Sequence, residues 1–470
     1  MITGLKPYPA YKDSGVPWLG EVPEHWEMRR LRTLAKVATG GRDTIDRVEG
    51  GEYPFFVRSQ TVERIGSWAF DGEAVLTAGD GVGVGKVFHY FKGRFNFHQR
   101  VYKISNFHGV TGKFFFHYFR SMLRYEAGLE TAKSTVDSLR LPMLQNLQVV
   151  VPSALEQLSV VRFLDHADRR IRRHIRAKQK LIKLLEEQKQ AIIHRAVTRG
   201  LDPNVRLKPS GVEWLGNLPE HWNVRLLGRC LKRIDQGWSP VAAEGELAPD
   251  QWAVLTLSSV KGGEFDPAAI KPVSVNARVP SGIEIGNGDL LVTRSNTREL
   301  VGDVCITRNV RPRTLICDLI YRLVPDAEAF NSRFLMFQLL SRTGRNQIER
   351  DARGSSGTMP KIAQRHIRSW QVIVPPLHEQ ESIAAAIEEM VTRAQRAVGR
   401  THEEISLLRE YRTRLIADVV TGKLDVRAAA AKLPDETEEP EPPNDAETLE
   451  EDDEDTENEE LDAVPDEAEA

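Results

Sequence analysis

Apolar residues recur at helical spacing in two long stretches of the chain. Residues 155–199 contain neither glycine nor proline, and apolar side chains return there every three or four positions. This spacing predicts one amphipathic helix, which would be about 68 Å long at 1.5 Å per residue. A matching pattern begins after Pro375 and Pro376 and contains only one glycine, Gly399. Since such a helix needs a partner in water, we expect the two to pair as an antiparallel coiled coil.

Short apolar runs separated by glycine-rich turns fill two other regions, residues 32–140 and 228–363. Four runs in each region predict strands, and a helical pattern follows them at residues 113–124 and 331–342. We interpret both regions as mixed α/β domains of one fold that differ in their loops. The strand-like runs are residues 55–57, 74–76, 86–88 and 100–102 in the first region, and 252–255, 289–292, 303–306 and 319–322 in the second.

The chain contains an internal repeat. Residues 14–26 read SGVPWLGEVPEHW and residues 210–222 read SGVEWLGNLPEHW, with ten of thirteen positions identical at an offset of 196. A second anchor, VVVP followed by Glu-Gln, recurs as VIVP followed by Glu-Gln at an offset of 223. That offset stays constant to the ends of the predicted helices, so the helices have equal length and the domains accept insertions.

These patterns predict an α+β protein with an internal pseudo-twofold repeat, in which two long antiparallel helices separate two mixed domains. The predicted segments are a first domain (1–152), a first helix (153–202), a second domain (203–375), a second helix (376–430) and an acidic tail (431–470).

Charge is divided unevenly along the chain. The whole sequence has 64 basic and 67 acidic residues, a net charge of −3. Residues 435–470 hold 20 of the acids and no base, so residues 1–434 carry 64 − 47 = +17. A basic body indicates a nucleic-acid partner, and we expect the acidic tail to be disordered. The favoured role for the tail is solubility; the alternative hypothesis is that it competes with DNA for the basic body and discourages non-specific binding.

Composition argues against several other classes. Three cysteines form neither a disulfide framework nor a zinc pattern, which favours the reduced cytoplasm. The sequence has no signal peptide and no apolar run long enough for a bilayer. The turn at residues 79–86 resembles a phosphate-binding loop, but it lacks the required glycine and hydroxyl positions. No metal site, methyltransferase signature or catalytic centre is evident.

Polar clusters follow the predicted strands in both domains. Arginine pairs with guanine, asparagine and glutamine pair with adenine, and lysine, serine and threonine contact phosphates. The clusters are therefore candidates for DNA binding, although each residue alone is more typical of a solvated surface group. The candidates are Arg58, Ser59, Gln60, Lys86, Arg94, His98, Gln99 and Arg100 in the first domain, and Arg294, Ser295, Asn296, Thr297, Arg298, Arg311 and Arg313 in the second.

The repeated elements carry a family resemblance. SGVPWLGEVPEHWEMRRL and SGVEWLGNLPEHWNVRLL, the paired VP-x-x-x-EQ helix starts, and the helix ends AVTRGLD and VVTGKLD resemble the specificity subunit of a type I restriction-modification system. The resemblance covers residues 8–428 and leaves the acidic tail outside.

The resemblance implies a division of labour. Such a subunit has two target recognition domains, each reading half of a bipartite, asymmetric double-stranded DNA site, and a helical spacer that fixes their separation. It docks two methyltransferase subunits, which bind S-adenosylmethionine, and restriction subunits, which use ATP and Mg²⁺. The subunit itself binds no cofactor and catalyses nothing. Two alternatives remain: a self-sufficient methyltransferase or nuclease, and a coiled-coil scaffold without a DNA role.

Four tryptophans of the repeated motif have a predicted structural role. We expect Trp18, Trp26, Trp214 and Trp222 to dock each recognition domain onto the helix ends. The alternative is that they are ordinary core residues.

Overall fold

The computed structural model describes residues 5–126, 138–240, 247–352 and 359–434. The predicted disorder of the acidic segment lies outside the described residues. The chain divides into a first unit, Met1–Ala177 with Glu404–Ala470, and a second unit, Lys178–Glu403. Each unit thus combines one mixed domain with part of both long helices. The predicted segment boundaries, which follow chain order, stay a prediction.

Both long helices form where the apolar spacing predicts them. They span Ala154–Arg199 and Leu377–Val420. Each ends near a glycine in the left-handed region, Gly200 with φ 76° and Gly422 with φ 78°, where a side chain would be strained. Gly399 does not interrupt the second helix; a Cβ there would meet no atom within 4 Å.

The helices run antiparallel, as predicted. In the first unit, buried Leu164 and Ala167 belong to the same core as Leu415, and Asp168 accepts a hydrogen bond from Arg412. The start of the first helix therefore meets the end of the second. In the second unit the relation is reversed, because residues 193–197 of the first helix share a core with residues 383–387 of the second. Apolar residues at i, i+3 and i+4 supply both contacts.

The first unit contains a six-stranded sheet whose strands start, in spatial order, at residues 36, 101, 70, 88, 53 and 63. Two further antiparallel pairs of strands belong to this unit: Tyr11–Asp13 with Glu21–Pro23, and Glu27–Arg30 with Gln148–Val151. Its strands are Tyr11–Asp13, Glu21–Pro23, Glu27–Arg30, Lys36–Thr39, Tyr53–Phe56, Glu63–Ile65, Phe70–Ala78, Phe88–Phe97, Val101–Ser105 and Gln148–Val151. Its shorter helices are Gly112–Glu126, Leu141–Asn146 and Arg427–Ala431, with 3₁₀ turns at Leu31–Thr33, Thr44–Asp46 and Gly81–Gly83.

The longest hairpin of this sheet is curled. Gly72 and Gly93 lie opposite each other in register, and both have φ near +140°, which only glycine adopts readily. Only three residues separate Phe97 from Val101, which already pairs with Ala78 at the other end of the hairpin. Such a short connection requires the sheet to bend, and the bend brings the loops at its open edge together.

The second unit repeats the central strand order with shorter strands. Four strands starting at residues 231, 320, 290 and 304 take the order of those at 36, 101, 70 and 88. Its strands are Leu207–Pro209, Asn217–Pro219, Asn223–Leu226, Leu231–Gln236, Ala253–Leu255, Val260–Lys261, Glu264–Phe265, Ile270–Pro272, Leu290–Thr293, Val304–Ile306, Thr314–Leu315, Ile320–Pro325 and Gln371–Val374. Its shorter helices are Ser332–Leu340, Arg342–Asp351 and Gln364–Ser369, with 3₁₀ turns at Glu213–Leu215, Leu227–Arg229 and Leu257–Ser259.

Two local predictions need correction. Lys86 and Val87 belong to a turn, and the strand begins at Phe88. The helical pattern at residues 331–342 covers two helices that meet at Ser341, whose extended backbone ends the first and whose hydroxyl caps Gly344 N of the second. A serine prefers this cap position because its oxygen accepts from an unpaired helix N–H. Each domain nevertheless has a mixed α/β fold, and the two share the order of four central strands, as expected for two domains of one fold.

Candidate nucleic-acid interface and its anchors

The repeated tryptophan motif forms the same small structure in both units. In the first unit, Tyr11–Asp13 pairs with Glu21–Pro23, and Glu27–Arg30 pairs with Gln148–Val151 immediately before the long helix. In the second unit, the equivalent pairs are Leu207–Pro209 with Asn217–Pro219 and Asn223–Leu226 with Gln371–Val374. The motif thus fixes the strand that leads into each helix.

The Glu-Gln pair at the first helix start anchors the first mixed domain. Nε2 of His25 lies 2.7 Å from Oε1 of Glu156, and the Ser153 hydroxyl donates to the same carboxylate at 2.9 Å. Gln157 accepts from Thr111 N at 2.7 Å and donates to the carbonyl oxygens of Gly109 and Pro152, both at 2.9 Å. One glutamine therefore ties the domain loop to the helix start.

The second unit repeats the His-Glu and Gln contacts of this network, whereas Pro376 stands where the first unit has Ser153. Nε2 of His221 lies 2.7 Å from Oε1 of Glu379. Gln380 accepts from Asn331 N at 2.8 Å and donates to the carbonyl oxygens of Ala329 at 3.1 Å and Pro375 at 2.8 Å. Two copies of the same hydrogen-bond network specify one local geometry at both helix starts.

The two units differ in how they satisfy the buried tryptophan. Nε1 of Trp222 donates to Oε2 of Glu379 at 2.9 Å, whereas Nε1 of Trp26 has no partner among the described residues. In the first unit the glutamate carboxylate has a different additional partner, because the guanidinium of Arg427 lies 3.5 Å from Oε1 of Glu156. Burial alone would raise the pKa of Glu156, but hydrogen bonds from His25 and Ser153 outweigh it and hold that pKa below its ordinary value.

Trp26 and Trp222 are fully buried, Trp26 beside the C-terminal end of the second long helix and Trp222 beside that of the first. A Cβ at Gly422, after the second helix, would lie 2.9 Å from Trp26, and one at Gly200, after the first helix, 3.2 Å from Trp222. The glycines therefore let each indole approach the chain closely. The other two tryptophans lie nearer the surface: Trp18 stacks on Tyr125, and Trp214 is 38% exposed. The docking role stays a prediction.

Five candidates of the first domain gather around two aspartates. Asp80, in the glycine-rich turn, accepts from Arg58 at 3.1 Å and from Arg100 at 2.8 Å. Asp43 accepts from Gln99 at 2.6 Å and lies 3.7 Å from Nε2 of His98. These candidates are Arg58, His98, Gln99 and Arg100, with Gln60 held nearby by its hydrogen bond to the Lys86 carbonyl.

This cluster has an exposed polar rim and a buried centre. Arg58, Gln99 and Arg100 are exposed, whereas the His98 side chain is 2% exposed. Burial lowers the pKa of His98 despite the Asp43 carboxylate, so a neutral ring supports the loop, and Nδ1 accepts from Arg100 N. At the tip of the same turn, Val82 is 90% exposed. The surface offers two positioned guanidinium groups and an apolar tip, a combination suited to base edges and thymine methyl groups.

The remaining candidates of the first domain lie in different surroundings. Ser59 and Lys86 are exposed beside the cluster, and the Ser59 carbonyl binds His89 at 3.1 Å. Arg94 lies apart: its Nε donates to Asp71 at 3.1 Å, and its guanidinium stacks over Trp68.

The candidates of the second domain form two separate groups. In the first, Thr297 and Arg298 are exposed and Asn296 is half-buried; Ser295 is 1% exposed and Arg294 donates to the Asp318 carbonyl. In the second, Arg311 donates to the carbonyl oxygens of residues 248, 249 and 251, and Arg313, with φ 62°, donates to that of Asp250. Arg311 and Arg313 therefore hold a loop in place, and Thr297 and Arg298 remain the accessible donors.

Sequence reasoning missed the acidic organisers and one buried arginine. Asp43 and Asp80 position the first cluster, but nothing in their sequence context links them to partners that are 20 or more residues away. Arg322, with an 8% exposed side chain, donates to Asp235 and Asp289 and to the carbonyl oxygens of Gly282 and Glu284. Its place in an apolar strand was the available signal, because an arginine is seldom buried unless it is paired.

Among the described residues, no helix is both long and apolar enough to cross a membrane, and no cluster of His, Cys, Asp and Glu suits a metal ion. The described cysteines are free thiols.

Known proteins with a similar sequence are specificity subunits of type I restriction enzymes. Residues 23–183 match the family model described as the type I restriction modification DNA specificity domain. The specificity subunit of the Escherichia coli type I restriction enzyme EcoDI is 24% identical over 418 residues, 86% of this chain and 90% of the relative. That of Escherichia coli EcoEI is 26% identical over 213 residues, 44% of this chain and 35% of the relative.

The fold agrees with a solved structure. A chain solved to explain complex assembly and conformational transition of the type I R-M system superposes with a TM-score of 0.64 at 15% identity, over 86% of this chain and 99% of the other. The class is therefore that of proteins with two mixed domains joined to a pair of long helices. Within this class, the chain is similar in sequence to the specificity subunits of type I restriction-modification systems.

Proposed function

We propose that this chain gives a type I restriction-modification complex its DNA sequence specificity, with each mixed domain reading one half of a bipartite, asymmetric site. The observation that supports this most directly is the duplicated anchor. Two identical His-Glu-Gln networks hold two domains of different surface on two helices of equal length. Two domains that are attached to the helices in the same way but have different surfaces suit the reading of two different half-sites at a fixed spacing.

The basic body supports a DNA partner. A net charge of +17 over residues 1–434 gives salt-dependent affinity for phosphates, while the exposed arginines and amides beside the strand ends would distinguish bases. In this proposal Arg58, Gln99 and Arg100 read one half-site, and Thr297 and Arg298 belong to the reader of the other. His98, Ser295, Arg311 and Arg313 position the reading loops.

The proposed partners follow from the repeat. Two equivalent sets of anchors offer two equivalent surfaces, which suits two copies of a methyltransferase subunit, with restriction subunits completing the complex. S-adenosylmethionine, ATP and Mg²⁺ would be bound by those partners, and the present chain is the non-catalytic member. The cytoplasm is the proposed place of action, in agreement with the free thiols.

A domain exchange tests the proposal. Residues 32–140 are replaced by the matching region of another specificity subunit, and methylated adenines are mapped in a host that carries the partner subunits. We expect one half of the methylated motif to change while the other half and the spacing stay the same. The reciprocal exchange of residues 228–363 is the matched control and should change the opposite half. A change of both halves by either exchange would refute independent reading.

A further inference from the structure

The repeat symmetry breaks along one face of the first long helix. Residues 162–176 contain six arginines and two aspartates, a net charge of +4. The matching stretch of the second helix, residues 385–399, contains two arginines and two glutamates, a net charge of zero. Repeat positions that should serve equivalent functions carry similar residues, as the Glu-Gln anchors do. A strongly basic stretch in one copy alone therefore points to a function that the other copy lacks.

The extra arginines form a stripe. Arg162, Arg169, Arg173 and Arg176 follow one another at intervals of seven, four and three residues, which places them on one side of a helix. Arg169, Arg173 and Arg176 are exposed and Arg162 is half-buried. We call these four residues the basic stripe. It extends over about 21 Å at 1.5 Å per residue.

The acidic tail leaves the described structure at the end of this stripe. Arg162 donates hydrogen bonds to the carbonyl oxygens of Leu433 at 2.8 Å and Pro434 at 3.1 Å. The next 36 residues, 435–470, carry 20 acids and no base. Like the basic stripe, this tail occurs in one copy of the repeat only, since the first helix is followed directly by the strand Leu207–Pro209.

We propose that the acidic tail, residues 435–470, binds the basic stripe and competes there with DNA phosphates. A fully extended chain of 36 residues reaches about 120 Å at 3.3 Å per residue, so the tail is long enough for the stripe. Attachment at Arg162 gives its carboxylates a millimolar effective concentration at the stripe. Sequence-independent DNA binding depends on phosphate contacts, so a tethered polyanion reduces it more than binding at the recognition loops.

Cross-linking tests where the tail lies, without any DNA. Arg173→Lys keeps the positive charge and introduces an amine that a carbodiimide can join to a carboxylate. In the full-length chain we expect cross-links between position 173 and residues 435–470, identified by mass spectrometry. Arg396→Lys, at the matching position of the second helix, is the control and should give few or none. Equal cross-linking at both positions, or none at position 173, would overturn the location.

DNA affinity tests the competition. The chain lacking residues 435–470 should bind DNA of random sequence about tenfold more tightly than the full chain at 50 mM salt, and less than twofold more tightly at 300 mM. A full-length variant with every tail Asp and Glu changed to Asn or Gln should behave like the deletion. In chains that also carry Arg169→Gln, Arg173→Gln and Arg176→Gln, removal of the tail should have little effect.

The matched control carries Arg393→Gln and Arg396→Gln on the second helix and should keep the full effect of tail removal. An equal effect of tail removal in the stripe variant and this control would refute competition at the stripe. The inference concerns sequence-independent binding and rests on the proposed DNA role only for its second test. If tail removal had the same effect in the stripe variant and the control while the methylation motif was unchanged, the competition would be refuted and the proposed function would stand. An unchanged motif after the domain exchange would refute the proposed function alone.

Discussion

Asp80 in the first unit lies between Arg58 and Arg100 and holds both guanidinium groups at an exposed edge. In the second unit, Arg311 and Arg313 are instead bonded to backbone carbonyl oxygens of a neighbouring loop. The anchors of the two domains use the same pairs of groups in both units, with a His-Glu distance of 2.7 Å in each. The same anchor at the helix start can therefore hold two domains whose surfaces carry different hydrogen-bonding groups. This is possible because the anchor residues lie outside the variable loops.

Removal of a motif tryptophan should have the largest effect. Trp26→Ala and Trp222→Ala each leave a large cavity and should lower the free energy of unfolding by about 3–5 kcal/mol. Hydrogen exchange should show the loss in the unit that carries the substitution. Trp214→Ala, at a 38% exposed position, is the control and should cost less than about 1 kcal/mol. Equal losses at all three positions would contradict the anchor role of Trp26 and Trp222.

The buried arginine of the second unit should come next. Arg322→Met leaves Asp235 and Asp289 without their shared partner, and we expect a loss of about 3 kcal/mol in urea unfolding. The same substitution combined with Asp235→Asn and Asp289→Asn should recover part of this loss, because the uncompensated charges are gone. If the triple variant were as unstable as the single one, the network would not be electrostatic in origin.

Substitution of Asp80 should have a smaller effect, and this effect should be on DNA affinity. Asp80→Asn removes the charge that positions Arg58 and Arg100, and we expect about a tenfold loss of affinity for the native site, or about 1.4 kcal/mol. Competition binding against sites altered in either half would locate the change. The loss of discrimination should fall on one half-site only. Asp71→Asn, which releases Arg94 away from the cluster, is the matched control; an equal effect there would argue against the cluster.

The smallest effect should appear in acid. The pKa of Glu156 is held below its ordinary value of 4.5, so its ionised form stabilises the folded state above that pH. This stabilisation is lost as the pH falls through the folded-state pKa. Glu156→Gln should therefore reduce stability at pH 7, by about 1 kcal/mol, and flatten the acid dependence between about pH 5 and 3. Unfolding curves at several pH values would measure the free energy of unfolding of the native chain and of Glu156→Gln. The same pH dependence in both proteins would contradict the stabilising role of the ionised Glu156.

Local patterns were sufficient for much of the fold. The absence of helix-breaking residues predicted Ala154–Arg199 almost to the residue, and the repeated motif predicted two equivalent units. The turn at residues 79–86 was also predicted, although the following strand begins two residues later than expected. For the candidate site, the sequence nominated polar clusters but did not separate exposed side chains such as Arg100 from buried ones such as His98 and Ser295.

The sequence by itself determined the helices, the duplication and the division of charge, because each depends on spacing or composition along the chain. Only the tertiary structure decided which end of each helix lies against which tryptophan, which aspartates hold Arg58 and Arg100, and that Arg322 is buried between two carboxylates. Those choices depend on contacts between residues 20 to several hundred positions apart. A local pattern cannot specify such contacts, since their free energy exists only after the sheets and helices have packed together.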